Sequence, residues 1–177
     1  MPASTAPKHR TVARVPATDP AAPPVGAPDA EPGTARDREL RAAIEAFFFG
    51  YRAFTARPDR ILASRGLGRV HHRILYFVGR DPGRPVSALL TVLGVSKQAL
   101  NAPLRHLVAS GLVVVRPSPA DGRVRLLHLS AEGRRLEQRL TGTQMLHLAR
   151  AFAGAPPHAE AAWRALMRQI ALDEPSS

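Results

Sequence analysis

Lys97, Gln98, Asn101 and Arg105 are spaced so that one helix presents all four on the same side, with Ala102 beside them. Their chemistry is that of base-edge recognition. Glutamine or asparagine pairs bidentately with adenine in the major groove, and lysine or arginine with guanine. Ser96 and Lys97 stand at the positive end of that helix, a position suited to a phosphate. Leu100, Leu104, Leu107 and Val108 recur on the opposite, apolar side. Pro103 breaks the pattern two turns in. It lacks the amide that would bond to the Ala99 carbonyl, a defect costing on the order of 3 kcal/mol. Either a bend there tilts residues 97–102 toward a groove, or leucine packing carries the proline and the bend has no role.

Charge points the same way. The 177-residue chain carries a formal net charge of +11. Ten cations lie between Arg65 and Arg125, opposed only by Asp81 and Asp121, so this third of the chain contributes +8. A concentrated basic block is the footprint of a polyanionic partner, most commonly nucleic acid. On this reading Arg69, Arg73, Arg84 and Arg105 contact phosphates, and Gln98, Asn101 and Lys97 specify sequence. Arg123 and Arg125 belong to a hairpin, and Arg123 at its tip has the reach to enter a narrow minor groove.

Other chemistries are weaker. His71 and His72 are adjacent, so on a helix their side chains diverge by about 100° and do not converge on one metal. No metal site and no cofactor are expected. A polar role for His71 and His72 in a small-molecule cleft, with Phe48 and Tyr51 as apolar walls, competes with a plain, partly buried histidine. Cysteine is absent, which excludes disulfides, thiolate-zinc sites and a cysteine nucleophile. No glycine-rich phosphate loop follows a strand and no carboxylate pair lies in an apolar run, so no enzyme is expected. No apolar run nears the ~20 residues of a membrane span, and a soluble, cytoplasmic protein without a membrane partner is expected.

The elements that must position these residues follow from periodicity. Residues 1–33 are Pro/Ala-rich with almost no large apolar side chain and are expected to be disordered, as are 173–177. Thr34 and Asp37 form a capping pair. Leu40, Ile44, Phe47, Phe48, Tyr51 and Phe54 then recur at helical spacing in a helix that Pro58 is expected to close. Val70, Ile74, Phe77 and Val78 predict a second helix, ended at Gly79, and Ser87 to Leu93 a third. The turn "LGVS" joins this third helix to the one holding Lys97, a helix-turn-helix signature. Two β-rich runs, Leu112–Arg116 and Arg123–Leu129, flank a turn of Pro, Ser, Ala, Asp and Gly, and so predict a hairpin. Its second strand would show Arg123 and Arg125 on one face, Val124 and Leu126 on the other. Ser130 caps a long helix carrying Leu136, Leu140, Leu146 and Phe152. After Pro156 and Pro157, Trp163, Leu166, Met167 and Ile170 share the face of a last helix.

The segment "GLGRVHHRILYFV…VSALLTVLGVSKQALNAPLRHLVASGLVVVRPSPADGRVRLLHLSAEG" resembles the MarR family of bacterial regulators over about residues 37–172. Its most specific parts are "LGVSKQAL", "L…SGLV" and "DGR" with "LSAEG". The resemblance implies an α+β, mostly helical fold. In it a winged helix-turn-helix occupies 65–129, and a dimerisation domain is built from 34–64 and 130–172. It also implies a homodimer on double-stranded DNA with a pseudo-palindromic operator, and a repressor role. A small-molecule effector such as an aromatic acid or phenol would act in a cleft between the lobes. Asp121 would pair with an arginine to orient the wing, while Arg123 enters the minor groove. The Pro103 position and the long N-terminal extension depart from the family pattern. Two rivals remain from the residues alone: a sequence-neutral architectural DNA-binding protein, and a small-molecule binding protein built around His71 and His72.

Overall fold

The computed structural model describes residues 33–172. The two expected disordered ends lie outside these residues, Gly33 excepted. Gly33 and Thr34 lead into helix α1 (Ala35–Ala63) through a reciprocal cap. The Thr34 amide donates to the Asp37 carboxylate at 2.8 Å, and the Asp37 amide donates to Thr34 Oγ1 at 3.1 Å.

Pro58 does not close this helix. It sits inside α1, fully buried with Thr55 and Leu62, and the helix runs on to Ala63. The local cost of a mid-helix proline is about 3 kcal/mol. Burying the ring of Pro58 and the side chain of Leu62 returns about 1.5–3 kcal/mol for each fully buried side chain of that size. Packing therefore overrides the local signal.

Helix α2 (Arg69–Arg80) buries Ile74, Leu75 and Val78. Gly79, expected as its stop, lies within it. A Cβ there would come within 3.1 Å of Leu129 Cδ1, so the glycine lets the helix approach the sheet closely. A two-residue strand β1 (Arg84–Pro85) follows, then α3 (Val86–Leu93) and α4 (Lys97–Ala109). Gly94, with φ +61°, ends α3 in the left-handed conformation.

Strand β2 (Val113–Pro117) and strand β3 (Arg125–Leu129) pair antiparallel with Val113 opposite Leu129 and Pro117 opposite Arg125. Strand β1 pairs with the other side of β3, giving the order β1-β3-β2. The hairpin expected from the sequence is therefore part of a three-stranded sheet. The hairpin's second strand starts two residues later than expected, and Arg125 and Leu126 fall on opposite faces as expected. Arg123 and Val124 precede β3, and Arg125 shares alternation with buried Leu127 and Leu129, while Leu126 and His128 lie on the other face.

Helix α5 (Ala131–Ala153) starts at Ser130, whose Oγ accepts the Gly133 amide at 2.9 Å, and α6 (Ala159–Leu172) follows the expected proline break. Leucines, isoleucine and valines from α1, α2, α3, α4, β2, β3 and α5 form a single core. Within α4, Leu100 and Leu107 are buried and Leu104 half-buried, whereas Val108 is exposed rather than part of the apolar face.

Candidate nucleic-acid interface

Helix α4 begins at Ser96, whose Oγ accepts the Ala99 amide at 3.2 Å. This hydroxyl satisfies one orphan helix donor, so its contribution at the interface is to fix the start of the helix. The core-facing leucines set the rotation of α4. Lys97, Gln98, Asn101, Ala102 and Arg105 are consequently all exposed on its outer side. Pro103 lies within the helix without interrupting it.

The wing tip is built by short-range hydrogen bonds. Asp121 Oδ1 accepts the Arg123 amide at 2.9 Å, and the Val124 amide donates to the Asp121 carbonyl at 2.9 Å. The Ser118 amide closes the loop on the Val124 carbonyl at 2.9 Å. Asp121 thus caps the turn that leads into β3 through a backbone amide. Among the described residues no arginine side chain is paired with its carboxylate, contrary to what the family resemblance implies. Arg123, Arg125 and Arg116 are exposed on the wing.

The fold ties three of the ten cations of the basic block into ion pairs and leaves seven without one among the described residues, Arg73 and Arg80 of α2 among them. Arg65 pairs with Glu132 at 3.0 Å, Arg69 with Asp59 at 2.7 Å and Arg84 with Asp81 at 3.1 Å. Lys97, Arg105, Arg116, Arg123 and Arg125 have no ion pair among the described residues, and all five lie on α4 or the wing. Arg84, an expected phosphate contact, is only 18% exposed in its side chain and also reaches the Ala88 carbonyl. Arg69, another, lies on α2 facing α1, not beside the outer face of α4. Its guanidinium grips both Asp59 oxygens, donates to Thr55 Oγ1 at 3.1 Å and stacks over Tyr51. The hydrogen bonds to Asp59 hold it above the ordinary arginine range.

Arg69 belongs to a cleft of about 380 Å³ between α1, α2 and α5, within the usual size range of small-ligand pockets. Tyr51, His72, Arg73 and Tyr76 also line it, with Met145 and Leu148 as apolar wall. The two histidines separate as their spacing requires. His72 faces the cleft, its Nε2 buried without a partner, and burial lowers its pKa against partial offset by Glu137 and Asp59. His71 instead turns to α4 and meets the His106 ring edge to face. Phe48 does not line the cleft either; it is exposed on α1 beside Phe49. Of Phe48, Tyr51, His71 and His72, then, Tyr51 and His72 line this cleft. Arg69, Arg73 and Tyr76 join them, residues whose place in the cleft depends on how α1 crosses α2.

Comparison with known proteins places these features in a family. A model of the MarR family matches residues 65–124, the span from the α1–α2 link to the wing tip. The HTH-type transcriptional regulator PetP of Rhodobacter capsulatus is 46% identical over 134 residues, covering 76% of this chain and 81% of that protein. A crystal structure of a MarR family transcription regulator superposes with a TM-score of 0.65 at 23% identity, over 81% of this chain and 98% of the other. Streptococcus pneumoniae FabT, crystallised in complex with DNA, gives a TM-score of 0.66 at 16% identity, over 77% and 95% of the two chains. These two structures bear on the fold, a winged helix-turn-helix within a mostly helical chain.

Proposed function

The chain belongs to the MarR family and is a DNA-binding transcription regulator, and we propose that it acts as a homodimeric repressor of a pseudo-palindromic operator, released by a small-molecule effector. The observation that carries this reading is the exposed outer face of α4 together with the wing. All five cations of α4 and the wing lack an ion pair among the described residues, and they flank the exposed Gln98 and Asn101. Lys97, Arg105, Arg116 and Arg125 supply salt-dependent phosphate affinity, Gln98 and Asn101 read base edges, and Arg123 reads groove shape. Arg69 and Arg84 are left out of that set because their guanidinium groups are already engaged.

Residues 65–129 form the DNA-binding part, and 34–64 with 130–172 the dimerisation part. Support for the dimer comes from apolar side chains left bare in the single chain. On α1 these are Ile44, Phe47, Phe48 and Tyr51, and on α6 Trp163, Leu166 and Ile170. Contiguous exposed apolar surface of this kind marks an interaction face. The dimer sets two α4 helices about 34 Å apart, one DNA turn. An aromatic acid or phenol fits the cleft chemistry of Arg73, His72, Tyr51 and Tyr76, and its binding changes that spacing with a coupling of about 1–3 kcal/mol. No described helix is long and apolar enough to cross a membrane, and we place the protein in the cytoplasm with its operator.

Fluorescence anisotropy on the DNA upstream of its own gene, beside a shuffled duplex and across a salt series, tests the reading. A preference of roughly a thousandfold for the native sequence is expected. Equal binding to both duplexes would favour a sequence-neutral architectural role, and no binding at low salt would refute the reading.

A further inference from the structure

His71 and His106 bring α2 and α4 into direct contact, with ring centroids 5.1 Å apart and planes at 89°. His71 is the third residue of α2, and its Nδ1 accepts the Gly68 amide at 3.0 Å, capping that helix. A nitrogen that accepts a hydrogen bond is unprotonated, so the neutral ring carries its proton on Nε2. That Nε2 is buried and has no nitrogen or oxygen partner. His106 lies on α4, directly after Arg105.

We propose that neutral His71 is a positioning residue for the recognition helix, and that a proton on it releases α4 and weakens operator binding. The inference rests on the reading of α4 as the DNA-binding helix. Since Nε2 is already protonated, an added proton enters at Nδ1. It removes the lone pair that caps Gly68 and places a cation at the positive end of α2. A charged ring is hydrated only by rotating toward solvent, and the contact it then gives up is the one to His106. On α4 the titratable group facing His71 is His106, and on the α1–α2 link it meets only the Gly68 backbone; no carboxylate acts on it. Burial first and His106 second lower its pKa, with the Gly68 backbone offsetting part of this.

The sign follows by linkage. The DNA-competent arrangement binds this proton more weakly than the released one, so acid favours release below the ordinary histidine value of about 6.5. One proton per protomer, two per dimer, limits the effect to about a hundredfold in affinity per pH unit. The direction is diagnostic, because a histidine that merely lies near phosphate gains charge in acid and strengthens DNA binding.

The test is anisotropy of the full chain on its upstream duplex from pH 8 to 5.5 at constant ionic strength, for wild type and His71→Gln. Glutamine at this position reaches back to the Gly68 amide as in a capping box and does not titrate. Wild-type Kd is expected to rise below about pH 6.5, by up to about a hundredfold per pH unit for the dimer. His71→Gln is expected to match wild type within a few-fold at pH 8 and to stay flat or bind more tightly in acid. Wild-type affinity that holds or improves in acid, or a variant that keeps the acid loss, would overturn the proposal. An NMR titration of the free protein reads His71 independently of DNA and of how well the variant folds. The Nε2-protonated tautomer should be seen at pH 8, with α4 amide shifts that follow His71 protonation. The other tautomer, or an α4 that ignores the titration, would equally overturn it. Failure of wild type to bind the duplex at pH 8 speaks against the regulator reading, and the NMR result then decides His71 by itself.

Discussion

A single methyl group at Gly133 should unfold this protein more readily, although alanine is the better helix former. Gly133 lies in the first turn of α5, where a Cβ would stand 2.0 Å from the Leu112 carbonyl oxygen and 3.0 Å from its carbon. Ordinary C···O contact is about 3.3 Å, so the overlap exceeds 1 Å. Neither side can yield cheaply. The Leu112 carbonyl accepts the Ser130 amide at 3.1 Å, and the Gly133 amide donates to Ser130 Oγ at 2.9 Å. Relief requires α5 to lift from the buried Leu112–Val113 segment, straining the packing of Leu136. Overpacking costs about 1–3 kcal/mol and loss of the serine cap about 1, with more expected where the obstacle is backbone. Helix propensity returns about 1. Gly133→Ala should therefore lose at least about 1–3 kcal/mol, a fall in Tm of roughly 3–9 °C for a chain of this size. Gly142, in the same helix with nothing within 4 Å of its Cβ position, is the control. Gly142→Ala should gain about 1 kcal/mol. Urea denaturation at fixed protein concentration measures both. A Gly133→Ala protein as stable as wild type would refute the close approach of α5 to Leu112.

Other consequences are equally direct. Asn101→Ala should relax base preference at one step of each half-site by about 1–3 kcal/mol, read by competition with single-base operator variants; a loss uniform across sequences would contradict its role. Arg105→Ala should instead weaken all sequences alike and lower the salt slope by about one per protomer. Pro103→Ala should stabilise the fold by up to about 3 kcal/mol. Unchanged operator affinity and base preference in that protein would show that the proline has no part in recognition. Burial lowers the pKa of both His71 and His72, so the unfolded chain takes up their protons first. Stability should be full above about pH 6.5 and fall in acid by up to about 1.4 kcal/mol per pH unit for each histidine. Denaturation at pH 7.5, 6.0 and 5.0 checks this, and rising stability in acid would contradict the burial of these rings.

The outer face of α4 was readable because helical period and residue type agree there: leucines on one side, Lys97, Gln98, Asn101 and Arg105 on the other. Pro58 misled because its cost is local and visible, whereas its compensation, burial with Thr55 and Leu62, is tertiary. Strand β1 has no periodic signal at all; two residues form it only because Leu126 and Leu127 return alongside. Charge number could be counted in the sequence, but charge pairing could not. Asp59 and Arg69 meet across the α1–α2 link and Arg65 meets Glu132 from far along the chain, whereas the cations of α4 and the wing stay without an ion pair among the described residues. The divergence of His71 and His72 followed from helical geometry, but the partner of His71 did not, since His106 comes from another helix.

The small sheet also bears on how copies of this chain can and cannot associate. Its two open edges are β1, two residues long, and β2, five, and each contains a proline, Pro85 and Pro117. A proline has no amide to offer an incoming strand, and a short edge offers few others. When many copies crowd along one DNA molecule, wing cannot readily zip to wing. Under the dimer proposed above, assembly would use the exposed apolar side chains of α1 and α6 instead, so protein concentration could rise at a binding site without the wings becoming a seed for aggregation.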